Sequence, residues 1–100
     1  MTFTYEPALL EYMQKKGKNT IVVEEVTINN SDIEITELHI HLIDDKRAEE
    51  FISKKRYRST ATDAGRVLLP PFKLKYDDVI TFGLKSFLGF KYVTYKGIKV

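Results

Sequence analysis

One hundred residues, 43% hydrophobic and 12% aromatic, with no cysteine, suit one domain with one core rather than an enclosed, deeply buried active site. They also exclude any disulfide, thiolate metal site or thiol nucleophile. Sixteen basic and 14 acidic side chains leave a net charge of only +2, a mixture of signs that argues against wholesale disorder.

That small net charge hides a split. Residues 1–53 carry five basic and eleven acidic side chains, a net of −6, whereas residues 54–100 carry eleven basic and three acidic, a net of +8. A second-half strand must pair with first-half strands to complete a sheet of ordinary size, so the two halves are expected to fold against each other and largely cancel. No run of about eighteen apolar residues is present to span a membrane. Met1 to Glu6 lacks the basic start and apolar stretch of a signal peptide, so a cytoplasmic protein is expected.

The first predicted element is a helix near residues 5–16. Thr4 is its N-cap, Pro7 lies in its first turn, and Leu9, Tyr12 and Met13 repeat at helical spacing with Leu10 widening the stripe. Lys15 and Lys16 suit its carboxyl end and Gly17 the left-handed position after it. Asn19 to Ile28 is rich in β-branched residues and reads as a strand, with Asn29-Asn30-Ser31-Asp32 as a turn. The next strand covers Ile33 to Ile43. Its apolar parity changes between Ile35 and Leu38, which predicts a bulge near Thr36-Glu37.

Asp44 or Asp45 caps a second helix near 45–56, with Ala48, Phe51 and Ile52 as its apolar stripe. Arg58 to Gly65 reads as a loop, and Val67-Leu68-Leu69 as an apolar run kept from a central ladder by Pro70-Pro71. Phe72 to Tyr76 alternates, Asp77-Asp78 turns the chain into Val79 to Phe82, and a last strand covers Phe90 to Tyr95. Lys96-Gly97 is a turn or bulge. The order of elements predicts an α+β fold: an N-terminal helix packed on a mostly antiparallel sheet, with a second short helix.

Few residues carry chemistry. His39 and His41 share a strand face with Glu37, and two imidazoles with a carboxylate can hold a divalent metal. The same alternation also describes a plain solvated strand face, with Asp44 and Asp45 serving only as helix caps. Lys54, Lys55, Arg56 and Arg58 enclose Tyr57, a pattern that could grip phosphates and stack a base, or simply complement a helix C-terminus. Ser53, Ser59 and Ser86 lie in no nucleophile motif, the acidic pairs are sequence neighbours, and the five glycines form no phosphate loop. Neither an enzyme nor a cofactor is implied.

The stretch Phe82-Gly83-Leu84-Lys85-Ser86-Phe87-Leu88-Gly89-Phe90-Lys91-Tyr92, followed by Gly97-Ile98, and the layout from Thr4 to Ile28 resemble the HesB-like superfamily. These are the A-type iron–sulfur carriers, and the match is to their short relatives with a double-cysteine or selenocysteine motif. The resemblance implies a short helix leading into a β-rich core. It covers the two ends of the chain and departs where the family's chemistry lies: the paired residues that follow the first strand there correspond to Asn29-Asn30-Ser31 here. Amides and a hydroxyl do not replace thiolates in cluster ligation, so the resemblance implies the fold without cluster binding, in a relative that either keeps a protein-docking surface or uses His39 and His41 for something unrelated. The expectation is a non-enzymatic module working through a protein partner or as a homodimer, with Tyr57, Phe72, Tyr92 and Tyr95 as interface aromatics. Metal binding through Glu37, His39 and His41 is one alternative. Polyanion or nucleic-acid binding through Lys54, Lys55, Arg56 and Arg58 is the other.

Overall fold

β-Branched and apolar residues dominate Thr20–Asn30 and Ile33–Ile43, and both stretches are strands (β2 and β3) in a computed structural model that describes residues 1–100. Around them run β1 (Thr2–Tyr5), α1 (Pro7–Lys16), α2 (Asp45–Lys54), β4 (Arg58–Thr62), β5 (Gly65–Leu69), β6 (Lys75–Phe87) and β7 (Phe90–Lys99). The fold is α+β, with the strands divided between two sheets of order β1-β6-β7 and β3-β2-β5-β4. Three pairings are antiparallel, and two, β1 with β6 and β2 with β5, are parallel.

The apolar runs Ile21-Val22-Val23 and Val67-Leu68-Leu69 are buried whichever way their side chains point, which places β2 and β5 at the centre of the four-stranded sheet. Ile21, Val23, Val67 and Leu69 enter one core with Leu9 and Met13 of α1 and with Ile80, Phe82 and Ile98 of the other sheet. Val22 and Leu68 point the opposite way, into a second core with Ala48 and Phe51 of α2 and with Tyr57. Phe82, fully buried, stacks on Phe3 at 6.0 Å between ring centroids and tilts against Tyr5 at 5.9 Å.

Local signals end both helices. After α1, Gly17 takes φ 67; its N–H donates to the Gln14 carbonyl at 3.2 Å and that of Lys18 to Met13 at 3.1 Å, the pairing that closes a helix through a left-handed glycine. Asp44 caps α2, its carboxylate accepting from the Arg47 N–H at 2.8 Å. Arg56 then adopts φ 59, and the Tyr57 N–H returns to the Phe51 carbonyl at 3.0 Å. The second helix therefore stops at Lys54, short of Arg56.

Several expectations are corrected by tertiary pairing. Thr4 is not a helix cap but part of β1, because Phe3 and Tyr5 alternate onto Phe82; Pro7 opens α1 after an extended Glu6. No bulge interrupts β3: the β2–β3 ladder is continuous from Thr20↔Ile43 to Asn30↔Ile33, and only Ser31 and Asp32 form the turn. The parity change needs no extra residue because Ile33 and Ile35 lie where the hairpin has left the core, 62% and 47% exposed. Arg58–Thr62 is an edge strand rather than a loop, since small polar side chains suit a ladder open to solvent on one side. Val67–Leu69 is central because the prolines fall after the last ladder residue, where no N–H is missing from the sheet.

The bulge lies elsewhere. β6 continues through Asp77-Asp78, and its register against β7 shifts between Tyr76↔Ile98 and Thr81↔Lys96. Gly97 sits opposite the extra residues at φ 94, where a Cβ would stand 2.6 Å from the Val79 carbonyl oxygen. Gly97→Ala is expected to cost at least about 1–2 kcal/mol, the penalty of a left-handed L-residue, read as a lowered urea midpoint. Gly89→Ala, where a Cβ would meet nothing within 4 Å, tests the same conformational penalty without the contact and should cost less.

Candidate functional site

Strand alternation assigns each side chain of the two long hairpins to a face. On β2–β3, Leu38, Ile40 and Leu42 turn toward the core between the sheets. The other face starts at Val22 in the α2 core and continues outward through Glu24, Val26 and Ile28, paired with His39, Glu37 and Ile35. Glu37, His39 and His41 do share this face, but they do not converge. His39 Nε2 lies 3.1 Å from Glu37 Oε2, whereas His41 Nε2 lies 3.6 Å from Glu24 Oε1. The imidazole centroids are 6.1 Å apart at 78°. Lys55 Nζ approaches the same Glu24 carboxylate at 3.5 Å. No group of three His, Asp or Glu side chains is arranged to hold a metal ion. The constellation amounts to two imidazole–carboxylate pairs on a largely solvated strand.

Lys54, Lys55, Arg56 and Arg58 all lie exposed between the end of α2 and the start of β4. Their enclosed aromatic is not available to a ligand: Tyr57 is 6% exposed, sits edge-on to Phe51 at 4.9 Å, and accepts the Glu25 N–H at 3.4 Å. It serves the α2 core and neither stacks a base nor lines an interface. Lys55 is also engaged, its ammonium lying 4.7 Å from the Phe51 ring centroid as well as against Glu24.

A cavity of about 640 Å³ opens between the carboxyl end of α1 and the start of α2, bordered by Leu10, Met13, Gly17, Asp44 and Asp45. Its two carboxylates are committed, Asp44 to the helix cap and Asp45 to Arg66 at 3.4 Å. None of the histidines borders it, and nothing there pairs a nucleophile with a base.

The least covered apolar groups are at the hairpin ends. On β6–β7, alternation from the buried Ile80 and Phe82 puts Lys85, Phe87, Phe90 and Tyr92 on the outer face of the three-stranded sheet. Phe87, Leu88, Phe90 and Tyr92 are 67%, 82%, 76% and 49% exposed. Tyr92, Tyr95 and Phe72 are exposed as the interface expectation required, but the sequence reasoning missed Phe87, Leu88 and Phe90, which surround the turn. Their signal was the Leu88-Gly89 turn itself, which makes Phe87 and Phe90 cross-strand partners. At the end of β2–β3, Ile28, Ile33 and Ile35 form a second exposed group on the α2-side face.

No protein-family model, curated protein or solved structure matches this chain.

Tyr57, Tyr5 and Tyr76 share one electrostatic feature: burial disfavours their phenolates and pushes each hydroxyl above its ordinary value of 10.0. A group whose folded pKa is raised contributes stability that is fully present below the unfolded pKa and is lost as pH rises through the folded value. Stability to urea should therefore hold at neutral pH and decline above about pH 10. Tyr57→Phe should flatten that decline. It should also cost on the order of 1 kcal/mol at neutral pH through the lost Glu25 N–H acceptor.

Proposed function

We propose that this chain is a non-enzymatic protein-interaction module whose working surface is the exposed apolar end of the β6–β7 hairpin. What supports this is the cluster of Phe87, Leu88, Phe90 and Tyr92, large side chains left in water on a hairpin whose base is anchored by Phe82 and Ile98 in the main core. Contiguous exposed apolar groups of this kind mark contact surfaces. Aromatic anchors on a rigid element supply most of the energy of such contacts. His39, His41 and Lys55 are engaged within the chain, in the histidine–carboxylate pairs and the Lys55–Glu24 pair.

The proposal includes kinship with the HesB-like superfamily, as a cysteine-free relative. Its support is the passage from α1 into a β-rich core, together with Phe87-Leu88-Gly89 at the β6–β7 turn and Gly97-Ile98 at the bulge. Asn29-Asn30-Ser31 lies at the far end of β2–β3. With amide and hydroxyl side chains there, the role left to that hairpin is contact rather than cluster chemistry.

Affinity capture with the tagged protein should retain proteins by both the wild type and Phe72→Ser, and lose them with Phe87→Ser combined with Phe90→Ser. Equal retention by the wild type and the hairpin variant would remove the proposal. So would a hairpin-dependent association with anionic lipid vesicles in place of any protein.

A further inference from the structure

The two long hairpins differ in charge as sharply as the two halves of the chain. Residues 24–37, the outer part of β2–β3, contain five acidic side chains and no basic one; residues 83–97, the outer part of β6–β7, contain three lysines and no acid. The halves meet in ion pairs at Lys55–Glu24, the inner limit of the acidic stretch, and at Arg66–Asp45, but not at the hairpin ends. Asp32, Lys85 and Lys96 have no ion-pair partner in the chain, and Glu37 meets only His39.

Each end also carries an apolar group beside some of its charges. Ile33 and Ile35 share the α2-side face of one sheet with Glu37 and adjoin Asp32 in the turn, whereas Phe87, Phe90 and Tyr92 accompany Lys85 and Lys96 on the outer face of the other. Both sheets turn their remaining faces toward the shared core. The two surfaces therefore point away from each other, and one chain cannot bring its own acidic, isoleucine-bearing end onto its own basic, aromatic end.

We infer that the occupant of each surface is a second copy of this chain, with the β2–β3 end of one copy docking on the β6–β7 end of the next. This rests on the interaction-module proposal and names its partner. Opposite charges favour this pairing, while either end meeting its own kind is opposed by like charge. Because the two surfaces face opposite ways, the contact is head-to-tail and adds copies without closing at a pair. With only a few side chains on each surface, the buried area falls in the class of weak, reversible contacts, below about 1,200 Å² in total.

Sedimentation velocity of the untagged full chain, up to about 1 mM, the weak end of specific affinities, should show a sedimentation coefficient that rises with concentration and falls back as salt screens the exposed charges. Asp32→Lys with Glu37→Lys, and separately Lys85→Glu with Lys96→Glu, should each weaken association by at least about tenfold. Mixing the two variants should restore it, because each then offers the other a complementary end. Restoration also shows that both variants are folded. Since the chain has no cysteine, Ile33→Cys and Phe90→Cys provide an independent check of proximity: mixed under mild oxidation, they should give a mixed disulfide in excess of either symmetric one.

A chain that stays monomeric throughout the concentration range overturns the inference, as does a statistical or symmetric disulfide yield. If a different protein is nevertheless captured through Phe87 and Phe90, the interaction-module proposal stands and only the identity of the partner is wrong. If neither self-association nor capture is seen, both fail.

Discussion

The parallel pairing of β2 with β5, through Thr20↔Arg66, Ile21↔Val67 and Val22↔Leu68, holds the rest of the structure in place. It joins two antiparallel hairpins, β2–β3 and β4–β5, into one sheet, and each of its strands sends alternate side chains into both cores. Strands buried on both faces need continuous apolar runs rather than alternation, and Ile21-Val22-Val23 and Val67-Leu68-Leu69 meet that need. The polar group carried into this region is satisfied: Thr20, fully buried, accepts from Arg66 Nε at 3.1 Å, while Arg66 also reaches Asp45. One arginine of the basic half thus ties the central strand pair to the start of α2.

The same arrangement limits how far the cores extend. β2 and β3 run for eleven residues each and β6 for thirteen, yet α1, α2 and the facing sheet cover only part of that length. Along β2 the burial falls from complete at Thr20 to Val23, through intermediate at Glu24 to Val26, to exposed beyond. The outer ladder bonds close between the paired strands, so the hairpin ends are built without being packed. Their large apolar side chains stand in water, outside both cores.

On these surfaces the electrostatics follow from which strands meet. Where β5 and α2 pass β2, acidic and basic halves come together as Arg66–Asp45 and Lys55–Glu24. The hairpin ends belong to opposite halves and occupy different sheets, so their charges stay apart. Two ion pairs therefore join the halves near the base of the molecule, and none joins them at the hairpin ends.

Much of the fold was legible in the sequence because its signals are local. β-Branched density marked β2 and β3; the Asp44 cap and the Ala48, Phe51 and Ile52 stripe marked α2; Gly17 marked the end of α1. The α+β class follows from these. What local signals could not supply was pairing. Whether Phe3 and Tyr5 begin a helix or a strand depends on Phe82, nearly eighty positions away in the chain, and whether Arg58–Thr62 is loop or strand depends on β5 beside it. The candidate site divides in the same way. Alternation correctly put Glu37, His39 and His41 on one face, but the carboxylate that His41 meets comes from β2, across the ladder. Tyr57 looked like an exposed aromatic among cations, and the return of the chain after α2 buried it. Composition and periodicity specify what each segment prefers; which side chains end in a core and which in water is decided by how far the packed layers reach along each strand, and only the tertiary structure sets that distance.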